Sequence, residues 1–362
     1  MVDASRFLCY CSGMVTVSVD SGRGTSVGSA SLQDLIRRYS RRSVALCGRA
    51  AISIPTVEFY VDRESVSGVS RCGSPWSCPS CSARLRGRRS LGIVAIAGDV
   101  VARGGSLCMA TLTLRHNAGM PLADLVAAIN AGWAAVSRDR AFKAFRDRSG
   151  VLGFVRGVEV THGVNGWHPH LHVLFFSDRQ LSARDYVELR GVLESGWFRG
   201  AFKVLGVAPA SGVGVDVRAM AADAAGYIAK VGFEVAGVGK GNSAFDLLLD
   251  GRVDKWKEYD EAMRGVRSLS ISRELGRRYA DEWGAGDLDV INDDSPDEVP
   301  NFSVGVSPLV WFVISGQDRL YAEFVLAARA GEGELYRWYA RLVEDGRLPY
   351  VDSPFYYRRW VG

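Results

Sequence analysis

Two rhythms of apolar and polar positions run through residues 106–220. Leu107-Cys108-Met109-Ala110-Thr111-Leu112-Thr113-Leu114 is apolar and β-branched, the composition of a strand with Cys108 as a small buried residue. After Pro121 the period changes, and Leu122, Leu125, Val126, Ile129, Trp133 and Val136 recur on one helical face. Alternation returns on both sides of Asn165-Gly166, a strong hairpin signal. Ser182 then caps a helix with Tyr186, Leu189, Leu193 and Trp197 at helical spacing, and Val213–Arg218 alternates again. Strand, helix, hairpin, helix, strand predicts an α+β fold, an antiparallel sheet with helices packed on one face.

The hairpin carries the candidate chemistry. With Asn165 and Gly166 as the centres of a type I′ turn, Val164 pairs with Trp167, Thr161 faces His170 and Glu159 faces His172. A period of two puts His168, His170 and His172 on one face with Glu159 and Thr161. Val158, Val160, Leu171, Val173 and Phe175, with His162 at the end, form the opposite, core-facing side. A single strand histidine is ordinarily a hydrogen-bonded core or surface residue. Three of the chain's 5 histidines on one face, opposite a carboxylate, suit a metal site better. Nitrogen and carboxylate ligands fit Mn²⁺, Zn²⁺ or a loosely held Mg²⁺.

The flanks divide the chain further. Residues 1–33 read as a weakly ordered tail, with Cys9 and Cys11 incidental. Residues 34–105 read as a basic Cys-rich module, with a strand near Thr56–Asp62. Cys78-Pro79-Ser80-Cys81 forms a knuckle that Cys72 and Cys47 complete as a closed, structural Cys₄ zinc site; buried thiols without metal are the alternative. Ser82 is placed to cap a helix carrying Arg84, Arg86, Arg88 and Arg89 and ending near Gly104-Gly105. Such a row is either a solvated face or a phosphate-contacting one. Residues 106–276 form the core with an accessory region, 277–303 an acidic linker, and 304–362 a small, mainly helical C-terminal unit. That last unit is expected to hold a strand at Leu309–Ile314 and helices at Arg319–Ala330 and Leu335–Val343. Residues 221–231 favour a helix, with Asp223, Tyr227 and Lys230 on one polar face at i, i+4 and i+7.

Charge adds a partner to this picture. The net charge is only +4, yet between Asp34 and Arg89 eleven arginines stand against Asp34, Glu58, Asp62 and Glu64. Such asymmetry points to an anionic partner, nucleic acid first. No apolar run approaches a membrane span, and the N-terminus lacks a secretory pattern. Seven clustered cysteines, an odd number, fit a reducing compartment, so a cytoplasmic protein is expected.

His168-Pro169-His170-Leu171-His172, in the context Asn165-Gly166-Trp167, resembles the His-hydrophobe-His motif of HUH endonucleases, in particular rolling-circle replication initiator (Rep) proteins of small bacterial plasmids. The Leu107–Leu114 strand resembles the first motif of that family, and Cys72 through Cys81 its Cys-rich segment. Ser243 through Arg273 resembles an accessory region of actinobacterial plasmid Reps, which extends the likeness to about residue 276. The resemblance implies an HUH fold and a divalent ion, Mn²⁺ or Mg²⁺, held by Glu159, His170 and His172 with His168 available. It further implies Tyr227 as the nucleophile in a Tyr-x-x-Lys context, of the single-Tyr class. Lys230 would supply positive charge, and Asp223 stands where some relatives carry a water-activating acid. Origin DNA, single-stranded or extruded as a hairpin, would be the substrate, with a host helicase, a polymerase and a second copy of the chain as further partners. The rival readings are a non-catalytic zinc-dependent DNA-binding regulator, a metal hydrolase of small substrates, and an HUH nickase of transposase or relaxase type.

Overall fold

A computed structural model describes residues 32–207, 209, 213–220, 243–284, 286–293 and 299–359. Cys9, Cys11 and the Asp223-Tyr227-Lys230 motif lie outside the described residues. The strands are β1 (Ala51–Phe59), β2 (Glu64–Val69), β3 (Ser106–Thr113), β4 (Val151–Gly163), β5 (Gly166–Ser177), β6 (Val215–Met220), β7 (Leu269–Ile271), β8 (Phe302–Val306) and β9 (Phe355–Arg359). The chain separates into two compact units, Leu85–Gly286 on one side, and Met1–Arg84 with Asp287–Gly362 on the other. The α+β class expected from the pattern is the class the chain adopts, with antiparallel pairing throughout both sheets.

The Leu85–Gly286 unit holds a five-stranded sheet in the order β6-β3-β5-β4-β7. Pairs Leu107↔Phe176, Met109↔Leu174, Thr111↔His172 and Thr113↔His170 align β3 with β5. On one face Cys108, Leu112, Leu171, Val173 and Phe175 are buried. Helices Leu122–Arg138 and Arg140–Arg148 cover that face, with Trp133 on Phe154 at 5.0 Å and Phe142 on Phe175 at 6.1 Å between ring centroids. On the other face Leu107, Met109, Leu174 and Phe176 pack with Ile93, Ile96, Ala97 and Val100 of helix Pro79–Ala102. Helices therefore lie on both faces, and the histidines occupy the part of the second face beyond Leu174. That helix starts at Pro79 and not after Ser82: proline at the first turn has its φ already set and no N–H to satisfy.

Helix Ala183–Leu205 starts at the expected Ser182 cap, which forms a reciprocal capping box with Asp185. It approaches helix Leu122–Arg138 through small residues. Gly132 lies under Trp197, Gly196 against Val136, and a Cβ on Gly200 would come within 2.4 Å of the Ala131 carbonyl oxygen. This approach lets the Trp197 indole Nε1 donate to the Thr113 carbonyl at 3.0 Å, pinning the end of β3 that faces His170.

The second unit corrects the expected boundaries. β1 and β2 form one sheet with β8 and β9, in the order β2-β1-β8-β9. Val57, Phe59, Val304, Val306 and Phe355 share a core with Trp311, Phe324 and Trp338. The Cys-rich module and the C-terminal unit are thus one folded body, because a lone β1–β2 hairpin buries too little to stand alone. Residues 309–314, expected as a strand, lie in helix Pro308–Ile314 instead. Short apolar runs are ambiguous in period, and Pro308 at the start with Val310, Trp311 and Ile314 buried decides for helix. The acidic stretch expected as a linker holds helices Ala280–Trp283 and Asp287–Asn292, the latter burying Ile291. Helices Asp318–Ala330 and Glu332–Glu344 lie where the periodicity put them.

Gly200→Ala should lower stability by about 1–3 kcal/mol, because the added methyl meets a backbone carbonyl that cannot rotate away. Chemical denaturation of the two proteins side by side measures it; equal midpoints would show that the helices separate at little cost.

Candidate metal sites

The β4–β5 hairpin closes two residues away from the expected register. Gly163 pairs with Gly166, His162 with Trp167, Thr161 with His168, Glu159 with His170 and Gly157 with His172. The pairings Thr161 with His170 and Glu159 with His172 are therefore corrected. A type I′ turn needs positive φ at both central residues, and no described residue other than glycine has it. Gly166 alone does, at 84°, as in three-residue hairpins whose last position is a left-handed glycine. A two-residue slip preserves the face of every side chain. Glu159, Thr161, His168, His170 and His172 still share one face, and Glu159 reaches His172 diagonally, Oε2 to Nε2 at 2.9 Å.

β3 supplies the supports. Thr111 Oγ1 lies 3.3 Å from His172 Nδ1, and Thr113 Oγ1 lies 3.1 Å from His170 Nδ1. When the His170 Nδ1–H donates to Thr113, its Nε2 presents a lone pair, the arrangement that orients imidazole toward a cation; His172 Nε2–H instead donates to the Glu159 carboxylate, a proton that a bound ion would displace. Sequence reading named the β3 strand but gave its threonines no role. It also missed His116, whose Nε2 contacts His168 Nδ1 and whose Nδ1 is 3.2 Å from the Asn165 carbonyl. The available signal was position: His116 lies just past Leu114 and Arg115, beyond the end of the strand that pairs with the histidine strand. His168 is therefore engaged with His116, while His170 and His172 lie nearer Glu159.

Electrostatics favour the ligand forms. Burial, reinforced by His168 and His172, pushes His170 down to about 4, so its imidazole is neutral at pH 7. Burial and His116 likewise lower His168. The His172 hydrogen bond holds Glu159 below the usual carboxylate range, with a smaller contribution from Arg86. Two donor atoms on one ion at about 2.1 Å each lie roughly 3–3.5 Å apart, close to the Glu159–His172 separation. Two imidazoles and a carboxylate suit Mn²⁺ better than Mg²⁺, which prefers oxygen.

The cysteine quartet is more tightly gathered. Among the described residues, only Cys47, Cys72, Cys78 and Cys81 bring their ligand atoms all within 4.8 Å of one another. Sγ of Cys47 lies 3.5 Å from those of Cys78 and Cys81, and Cys72 Sγ lies 3.7 Å from that of Cys81. Four thiolates around a tetrahedral zinc lie about 3.8 Å apart. Backbone amides of Cys72, Ser74 and Cys81 donate to Cys47, Cys72 and Cys78 sulfurs at 3.3–3.5 Å. Neighbouring thiols hold Cys81 far below the ordinary thiol range and push Cys78 well above it. All four cannot ionise together without a cation, so the quartet is a site that can bind a metal such as zinc.

A family described as replication protein matches residues 63–197. The chain is also 29% identical over 309 residues to "Protein rep" of Streptomyces lividans, covering 62% of this chain and 68% of that protein. A "Neomycin resistance protein" of Streptomyces cyanogenus is 31% identical over 132 residues, 30% of either chain. No solved structure matches. The matched segment contains Cys72, Cys78, Cys81, the arginine row, β3 and the whole histidine hairpin; Cys47 and Tyr227 lie outside it.

The arginine row of this segment does not form one open face. Arg84 Nη1 donates to the Ile291 and Asp293 carbonyls at 3.1 Å. Arg89 is buried, stacks over Trp283 at 4.5 Å and donates to its carbonyl. Arg86 is half-buried within the electrostatic reach of Glu159 and Tyr259. Arg88 alone of the four is exposed. Helical spacing of 84, 86, 88 and 89 spreads the side chains around the helix, which is why one sequence run serves different surroundings. Among the described residues no helix is long and apolar enough to cross a membrane.

Purified without chelator, the protein should carry about one zinc per chain at the quartet. Cys81→Ser should lose it and melt earlier, because metal binding there contributes directly to folding. Elemental analysis with thermal unfolding checks both; a zinc-free wild type of unchanged stability would refute a structural zinc.

Proposed function

We propose that this chain is a plasmid replication initiator that nicks and rejoins one DNA strand at an origin through a 5′-phosphotyrosine. The observation that carries the reading is the Glu159–His172 contact beside threonine-supported His170, in the segment that matches the replication protein family. A divalent ion bound there would supply Lewis acidity to the scissile phosphate. Glu159, His170 and His172 would hold it, with His116 and His168 beside them. The Tyr227 oxygen bonds to phosphorus as the 3′ oxygen departs and takes up a proton, which leaves a free 3′-hydroxyl for a polymerase. One phosphoester replaces another, so the same step in reverse rejoins the strand. Lys230 would offset the charge of the phenolate or phosphate, and Asp223 would activate water for a terminating hydrolysis.

Two other tyrosines are poor candidates for the nucleophile. Tyr259 and Tyr279 are buried, and burial raises both phenols above their ordinary value. Tyr279 is further committed to Asp99, donating at 2.6 Å. Origin DNA would be engaged as a single strand or an extruded hairpin, since a tyrosine on the helix expected at residues 221–231 would not reach a phosphate within regular duplex. A host helicase and polymerase would act on the nicked product, with a second copy of the chain as a further partner. The reading places the protein in the cytoplasm.

Glu159→Ala should weaken Mn²⁺ binding by at least about 10-fold, since it removes a ligand and its lock on His172. Calorimetric titration of both proteins reads this directly, and equal affinities would remove Glu159 from the site. Tyr227→Phe should keep ion and DNA affinity but form no covalent adduct with an origin oligonucleotide. Denaturing electrophoresis with peptide mass mapping checks it. An adduct surviving in Tyr227→Phe would move the nucleophile, and a wild type that binds its origin without any adduct would favour a non-catalytic regulator.

A further inference from the structure

Glu159 shares a face of β4 with the imidazoles, and strand alternation sends Arg156, three residues earlier, to the opposite side of the sheet. There, at the β7 edge, a cavity of about 340 Å³ is lined by Arg156, Arg264, Arg267, Ser270 and Asn130, among others. Three guanidinium groups line it and no carboxylate does.

Arg156 is the fixed member. It is half-buried, its Nε donates to Ser270 Oγ at 2.7 Å, and its guanidinium lies 5.7 Å from the centre of the Trp133 ring. Burial, and then the nearby charge of Arg267, hold it below the ordinary arginine value. Among the described residues no ion pair is formed by Arg156, Arg264 or Arg267. Surface arginines are ordinarily solvated, and Arg264 and Arg267 taken singly would be. Their convergence with a held, half-buried third around one hollow is different. Like charges gathered there repel unless an anion enters, and the planar fork of arginine matches the paired oxygens of a phosphate.

We propose that this cavity seats a backbone phosphate of a DNA strand, an anchor on the sheet face opposite the ion ligands. The proposal rests on the reading that the chain binds DNA, and it adds where a strand is gripped away from the chemistry. Arg156 positions the phosphate; Arg264 and Arg267 close over it from the rim. Because phosphate contacts carry no sequence information, any single strand of sufficient length should bind more weakly without them.

The test is fluorescence anisotropy of the full chain with a mixed-sequence, labelled single-stranded 30-mer, titrated across a series of salt concentrations. The variant is Arg264→Ala/Arg267→Ala, two exposed positions whose removal should leave the melting curve intact. Affinity should fall about 10-fold at moderate salt, and the slope of log K against log salt should shrink by about 0.7, the contribution of the one phosphate no longer neutralised. Unchanged affinity and slope in the variant, with wild type binding well, would overturn the anchor while leaving the initiator reading in place. A wild type that binds no oligonucleotide would overturn both. A deoxynucleoside triphosphate is titrated alone as a separate arm. Tight triphosphate binding that the variant loses, with DNA affinity unchanged, would make this a nucleotide pocket and overturn the backbone assignment.

Discussion

The pairing of β3 with β5 is the constraint on which the candidate ion site depends. It sets Thr111 opposite His172 and Thr113 opposite His170, and each hydroxyl then fixes one nitrogen of the facing ring. A histidine on an open strand rotates and titrates near neutrality. Here one ring nitrogen is occupied and burial disfavours the charged form, so His170 stays neutral and aimed. Glu159 arrives from β4 on the other side, ionised and already bonded to His172. Three adjacent strands therefore contribute carboxylate, imidazole and hydroxyl to one surface.

The opposite face makes that surface rigid. Cys108, Leu112, Leu171, Val173 and Phe175 are buried under aromatic side chains from the covering helices. Close packing at Gly132, Gly196 and Gly200 brings Trp197 within reach of the Thr113 carbonyl. The chain of support runs from glycine, through an indole N–H, to the strand end that holds His170. Packing energy on one face is thereby converted into orientation on the other.

The cysteine quartet answers a different need. Its sulfurs come from a turn at Cys47, the segment at Cys72, Cys78 just before helix Pro79–Ala102, and Cys81 in the first turn of that helix, in a unit whose sheet draws strands from both ends of the chain. Loops that short bury little apolar surface themselves. A metal at the quartet would tie them where packing does not.

Much of this was legible in the residues. Alternation alone fixed which side chains share the histidine face, and it survived a two-residue error in register because parity is unchanged by an even slip. Cys47, Cys72, Cys78 and Cys81 were legible as a set from spacing and residue type. Helical periodicity placed the amphipathic helices, and Ser182 marked its helix start. Tertiary structure decided the rest. The turn was set by the backbone preference of Gly166 within the assembled hairpin, not by the Asn-Gly pair alone. His116 joined the cluster only because its loop folds back onto the turn, with a Cβ on Gly166 left just 2.8 Å from the Ala118 backbone. The arginine row dispersed because carbonyls and an indole from distant segments took up Arg84 and Arg89. The union of β1 with β8 depends on pairing between residues some 250 apart in sequence, which no local pattern of side chains encodes.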